Sequence, residues 1–222
     1  VIISKKNKII LITPPKTGTY SITNYLYEHI DDKSKPVIGV KWPIYHLTLS
    51  EICYVFDIKT SELKNYKIIQ CIRNPYMRLA SAYFHQMKLI NMNLSFEEFL
   101  EKIKELKYLL PHNLDEFYIK FYGSIDYKYN SFKNNNWGGA RFYYEQRWFN
   151  DLNVDNIMYF KLEDLALDTS PLSNFLNIET DSFPHINKNK ISIDYKTLYT
   201  ENLISIVDIL YKNDLKYFNY EF

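Results

Sequence analysis

The sequence predicts an α/β fold, three layers deep, with a central, mostly parallel sheet flanked by helices. Two observations carry that prediction. Short continuous apolar runs of strand length alternate along the chain with longer stretches of helical periodicity, the order that builds parallel sheets. The first of these runs is stopped by Pro14 and Pro15 and is followed at once by a glycine-bearing turn and an amphipathic helix. Strand, turn and helix in that order are the layout of a phosphate-binding loop, so a fold of the P-loop type is expected.

Ile9-Ile10-Leu11-Ile12 reads as the first strand, buried on both faces. From Thr19 onward Ile22, Leu26 and Ile30 recur every four residues and mark one face of a helix that ends near Asp31 and Asp32. Residues 36–40 predict a second short strand and residues 49–56 a short helix. Residues 67–72 form the third strand, after which Asn74 and Pro75 supply a cap and a first-turn proline for a helix reaching about Ile90. A fourth strand falls at residues 157–161. Between the third and fourth strands, residues 96–110, 114–122 and 140–149 read as helical, and 130–139, with its asparagine run and Gly138-Gly139, as a surface loop. Leu203, Ile206, Val207 and Leu210 mark a final helix, followed by an aromatic tail from Asp214 to Phe222. The whole is expected to be one domain, 1–222, with a helical insert at about 93–150.

Composition narrows the function. A net charge of +1 argues against a nucleic-acid binder that relies on neutralising many phosphates. The two cysteines, Cys53 and Cys71, form no Cys-x-x-Cys and no cluster with histidine, so neither a disulfide framework nor a metal site is expected. No apolar stretch approaches the length of a membrane span, and the run at Val1-Ile2-Ile3 is too short for a signal peptide, so a soluble, cytoplasmic chain is expected. The 21 tyrosines and 14 phenylalanines are expected chiefly in packing.

The chemistry concentrates in Pro15-Lys16-Thr17-Gly18-Thr19-Tyr20-Ser21. At a strand-to-helix junction, successive backbone N–H groups and the positive helix end face an anion. Gly18 lets the chain turn, Lys16 adds a full charge, and the hydroxyls of Thr17, Thr19 and Ser21 add donors. The lysine precedes the glycine by two residues, whereas a nucleotide-hydrolysing loop places lysine directly after its last glycine. No apolar strand ends in an aspartate suited to magnesium, which further disfavours an ATP or GTP enzyme. About 55 residues downstream, Arg73 leaves a second strand tip, and arginine offers phosphate a bidentate fork.

The loop resembles the 5'-phosphosulfate loop of sulfotransferases that use 3'-phosphoadenosine-5'-phosphosulfate (PAPS), with Tyr20 standing where a small hydroxyl residue is usual. Arg73-Asn74-Pro75 followed by Ser81 is similar to that family's 3'-phosphate element. Gln146, then Ile157 to Leu165 with its Leu-Glu-Asp-Leu ending, Pro184-His185-Ile186-Asn187-Lys188, and Tyr211 to Tyr220 look like its carbohydrate branch. The resemblance implies that Pro15 to Ser21 hold the 5'-phosphosulfate, that Arg73 and Ser81 hold the 3'-phosphate, and that the product is 3'-phosphoadenosine-5'-phosphate (PAP). Lys188 and Lys190 fall in a segment read either as a loop closing over the nucleotide or as a solvated surface loop. The acceptor implied is a carbohydrate hydroxyl.

Sulfuryl transfer needs an acceptor hydroxyl in line with sulfur, a base for its proton, and positive charge at the departing phosphate oxygen. Lys16 suits the last role. Of five histidines, His29 lies at the end of the first helix, His85 on the helix after Arg73, His112 in the insert and His185 near the closing segment. His46 follows the second strand, where strand ends line the ligand crevice of a parallel sheet and where the resemblance puts the catalytic histidine. A packed or helix-capping histidine also fits His46, and Glu51 is the acidic fallback. Two other classes stay open on sequence: a P-loop small-molecule kinase, and a catalytically silent nucleotide-binding module.

Overall fold

The structure is a computed structural model and describes residues 2–29, 46–90, 94–109, 143–178 and 194–222. They fall into two compact units: residues 1–73 with 149–189, and residues 74–148 with 190–222.

The first unit is built on a four-stranded sheet, β1 (Ile2–Ser4), β2 (Ile9–Ile12), β3 (Lys67–Ile72) and β4 (Ile157–Lys161), in the order β1-β2-β3-β4. β2, β3 and β4 run parallel, as expected, and β1 pairs antiparallel with β2. The β1 strand, absent from the sequence reading, has three residues and is recognisable only through its hairpin with β2. Ile10 faces Ile68, Ile12 faces Gln70, and Gln70 faces Tyr159, so the C-terminal ends of the three parallel strands lie side by side. Loops that leave β2, β3 and β4 therefore start from one edge of the sheet, the edge at which ligands bind in open parallel sheets.

Alternation along β2 and β3 buries both faces. Ile9, Leu11, Ile69 and Cys71 pack with Ile22, Tyr25 and Leu26 of α1 (Thr19–His29) and with Leu165, Leu172 and Leu176. Ile10, Ile12, Ile68 and Ile72 on the opposite face are 0 to 2% exposed. That two-sided burial is what the unbroken apolar runs encode. The remaining helices of this unit are α2 (Leu49–Phe56), α5 (Leu162–Leu165) and α6 (Ser170–Leu176). The last two were not legible: a four-residue turn and a seven-residue helix are too short to show a period. Burial pushes the Cys53 thiol up to about 11, with Asp151 adding to the effect, and pushes the fully buried Cys71 thiol still higher.

The second unit holds α3 (Pro75–Ile90), α4 (Phe96–Leu109), α7 (Glu201–Leu210) and α8 (Lys212–Phe218). The expected cap of α3 is present: Tyr76 N–H donates to Asn74 Oδ1 at 3.0 Å. Tyr76, Leu79, Phe96, Phe99, Ile103, Leu203, Val207 and Tyr211 form its core. Aromatic rings meet there edge to face, Tyr76 with Phe222 and Phe96 with Tyr199, both at 4.9 Å between centroids. The tyrosine and phenylalanine excess in this unit is thus a packing device.

The aromatic tail begins in a helix, α8, with Asp214 fully buried in it, and continues past Phe218 without helix. One expectation is corrected in this unit: within 140–149 the described residues, from Tyr143 onward, are 3-10 at Tyr143 and at Gln146–Phe149 in place of an α-helix. The cause is Asp214, whose carboxylate accepts the N–H groups of Gln146 at 2.7 Å and Arg147 at 3.1 Å, taking them out of any helical ladder. The predicted strand at 36–40, helix at 114–122 and loop at 130–139 lie outside the described residues. Among the described residues no helix is long and apolar enough to cross a membrane.

Candidate active site

The loop leaving β2 takes an unusual backbone. Lys16 (φ 66°) and Gly18 (φ 75°) are both left-handed, with Thr17 between them at negative φ. Alternation of this kind turns successive N–H groups toward one side, the geometry of an anion-binding nest. Glycine adopts it freely, whereas lysine does so at a cost of about 1–2 kcal/mol. Two contacts hold it: Thr17 Oγ1 donates to the Pro14 carbonyl at 2.7 Å, and Arg73 Nη1 donates to the Lys16 carbonyl at 3.3 Å. The Thr17 side chain is fully buried, and its hydroxyl closes the turn. Thr19 Oγ1 reaches the same Pro14 carbonyl at 3.5 Å.

Ile22 N–H donates to the Gly18 carbonyl at 3.0 Å, the first bond of α1, so the N–H groups of Thr19, Tyr20 and Ser21 form the helix's first turn, where no intrahelical acceptor exists. Those donors and the positive helix end follow directly on Lys16. A methyl group at Gly18 would also stand 2.5 Å from Leu162 Cδ1, on α5, so the leucine side chain would have to shift. Ser21 is 7% exposed, while Tyr20 is 54% exposed, so its ring stands off the loop toward solvent. Pro15 is buried.

Lys16 is half-buried, and its ammonium has a pKa lowered to about 8, first by desolvation and second by the Arg73 guanidinium. Two cations brought together at the end of a parallel sheet gain most when an anion lies between or beside them. Arg73 ends the first unit, as the residue directly after β3.

His46 lies in the same unit. It too is left-handed (φ 62°), and its Nδ1 lies 2.7 Å from the carbonyl of Thr13, the residue between β2 and the phosphate loop. A carbonyl only accepts, so Nδ1 carries the proton and Nε2 is the basic nitrogen of the neutral ring. Two residues on, Thr48 and Glu51 form a capping box at the start of α2: Thr48 N–H donates to Glu51 Oε2 at 2.8 Å, and Glu51 N–H to Thr48 Oγ1 at 3.4 Å. Glu51, the acidic fallback for the base, is fully buried and committed to that cap, which removes it as a candidate.

Ser81, half-buried on α3, belongs to the second unit. Arg78, on the same helix, is fully buried, with its guanidinium donating to the Tyr144 carbonyl and lying 5.6 Å from the Tyr211 ring. His85 is half-buried on the same helix and His29 ends α1. Lys188, Lys190, His112 and His185 lie outside the described residues. Two features escaped the sequence reading. The bond from His46 to Thr13 joins groups 33 residues apart, and the Thr48-x-x-Glu51 pattern, a legible capping signal, was passed over. Among the described residues no group of three or more His, Cys, Asp or Glu side chains is placed to hold a metal ion.

A parallel sheet, a left-handed lysine loop at a helix N-terminus and an arginine directly after the adjoining strand give an α/β protein with the strand-loop-helix layout and without the nucleotide-hydrolase signature. The family model described as "Sulfotransferase family" matches residues 1–221. The chain belongs to the sulfotransferase family and is a PAPS-dependent sulfotransferase, which sets aside the kinase alternative. No curated protein matches the sequence. Among solved structures it is similar to a sulfotransferase from Alicyclobacillus acidocaldarius, with TM-score 0.45 and 16% identity over 96% of this chain and 98% of that one. It is similar also to a mouse sulfotransferase complexed with PAP, with TM-score 0.48 and 14% identity over 97% of this chain and 87% of that one.

Proposed function

We propose that the protein transfers the sulfuryl group of PAPS to a carbohydrate hydroxyl by in-line displacement, with His46 as the general base. The observation that supports the reading is the His46 Nδ1–H bond to the Thr13 carbonyl, two residues before the phosphate loop, which fixes the imidazole tautomer with Nε2 free of its proton. In the reaction, His46 Nε2 takes the acceptor's proton as its oxygen forms a bond to sulfur. The bond from sulfur to the bridging oxygen breaks, and its electron pair stays on the 5'-phosphate of PAP. Lys16 and the first-turn N–H groups of α1 stabilise the negative charge gathering there.

Arg73 and Ser81 are assigned to the 3'-phosphate, and Lys188 and Lys190 to the closing segment, on the family resemblance. Tyr20 contributes its backbone N–H. A carbohydrate acceptor is supported by the likeness of residues 146 and 157–165 to the carbohydrate branch.

Titration calorimetry with PAP, paired with a screen of mono- and oligosaccharide acceptors against PAPS, tests the proposal. His46→Ala is expected to keep PAP affinity and to lower kcat by roughly 10²- to 10⁴-fold. Unchanged turnover in that variant removes His46 as the base, and transfer to phenols with none to sugars removes the acceptor class.

A further inference from the structure

We propose that Asp151 is a positioning residue for His46, acting through Ser50 and the N-terminal turn of α2. The inference rests on the reading of His46 as the base and extends it. Asp151 grips Ser50 with both carboxylate oxygens: Oδ1 accepts the Ser50 N–H at 2.9 Å and Oδ2 accepts the Ser50 hydroxyl at 2.5 Å. Ser50 is the second residue of α2, and the chain from His46 enters that helix through Leu47 and the Thr48 cap, both buried. Thr48 and Glu51 satisfy the cap position and the third N–H. Asp151 satisfies the second, and its charge is favourable at that helix end.

Asp151 is itself held on a rigid turn. The neighbouring Asn150 donates from Nδ2 to the Val154 carbonyl and to the Tyr159 hydroxyl, both at 3.2 Å, and accepts the Val154 N–H at 3.1 Å. Tyr159 belongs to β4, so the carboxylate is referenced to the sheet. The Thr13 carbonyl that receives His46 Nδ1–H is referenced to the same sheet by the end of β2. The imidazole is thus tied to the sheet at its ring and, through Ser50, at its backbone. The left-handed His46 backbone needs such a double restraint to persist. The polar atoms that grip Ser50 come from a residue 101 positions away, which is how a fold rather than a local sequence aims a base.

The test reads the ring directly and does not depend on an acceptor. In the ligand-free protein, two-bond ¹H–¹⁵N spectra of the imidazoles are expected to show His46 as a single neutral tautomer with the proton on Nδ1. In Asp151→Asn, where one oxygen and the charge are lost, the signals move toward the averaged pattern of a mobile ring, while PAP affinity stays within about two-fold. With the acceptor found in the sugar screen, kcat falls roughly 10-fold, the scale of a displaced catalytic group, and the substitution adds nothing further in a His46→Ala background. Ser50→Ala, which keeps the N–H bond to Asp151 and loses the hydroxyl's bonds to Asp151 and Thr48, serves if Asp151→Asn does not fold, with a smaller change of the same kind. An unchanged His46 tautomer, or an equal fold-loss in both backgrounds, overturns the positioning role alone. Wild-type turnover in His46→Ala overturns the base reading and leaves the spectra to judge the contact.

Discussion

Lys16 has the most exposed physical chemistry of the site residues. Its ammonium, half-withdrawn from water and facing the Arg73 cation, loses its proton near pH 8, about two pH units below an ordinary lysine. A depressed lysine pKa means that the unfolded chain binds more protons between about pH 8 and 10.5, so this group's contribution to stability rises with pH across that window and is constant below it. Anion binding has the opposite sign, since it needs the charge. PAP affinity is expected to fall as pH rises through about 8 in the wild type, and to lack that step in Lys16→Ala, which calorimetry across pH 6.5–9.5 measures. The lysine was legible because its charge sits inside a recognisable loop pattern. The His46 tautomer was not, because it depends on a carbonyl that only the folded sheet brings near.

At the scale of elements, the phosphate loop and α1 depend on Gly18 twice, for its positive φ and for the space filled by Leu162. Gly18→Ala is expected to cost more than about 1 kcal/mol of stability and to reduce PAP binding at least 10-fold, read by urea unfolding and calorimetry on the same preparation. The capping box of α2 makes a milder prediction. Thr48→Ala costs about 1 kcal/mol, without changing PAP affinity. The apolar runs of β2, β3 and β4 and the longer periods of α1, α3 and α4 were readable from the sequence. β1 was not, because its three residues gain meaning only from pairing with β2, and α5 and α6 were not, because helices of four and seven residues show no period. The segment before Phe149 misled for another reason: local helical preference there is overruled by the distant Asp214 carboxylate.

At the scale of the whole molecule, the parallel register sets β2, β3 and β4 ends along one edge, and Lys16 and Arg73 of the proposed site lie in the loops that leave it. The second unit is stabilised differently, by aromatic edge contacts around a buried charged centre. Asp214 holds the Gln146 and Arg147 N–H groups, while burial raises its own pKa. Asp214→Ala leaves those two N–H groups without their acceptor, and a loss of about 1–3 kcal/mol is expected in urea unfolding.

Cys53 and Cys71 carry a practical corollary. With both thiols held well above their ordinary pKa and 7% or less exposed, native protein at neutral pH is expected to be inert to maleimides and to react at two sites only after denaturation. A single cysteine placed at Leu167, which is 90% exposed, would then take a dye alone, giving a protein labelled at one known position with both native thiols unreacted.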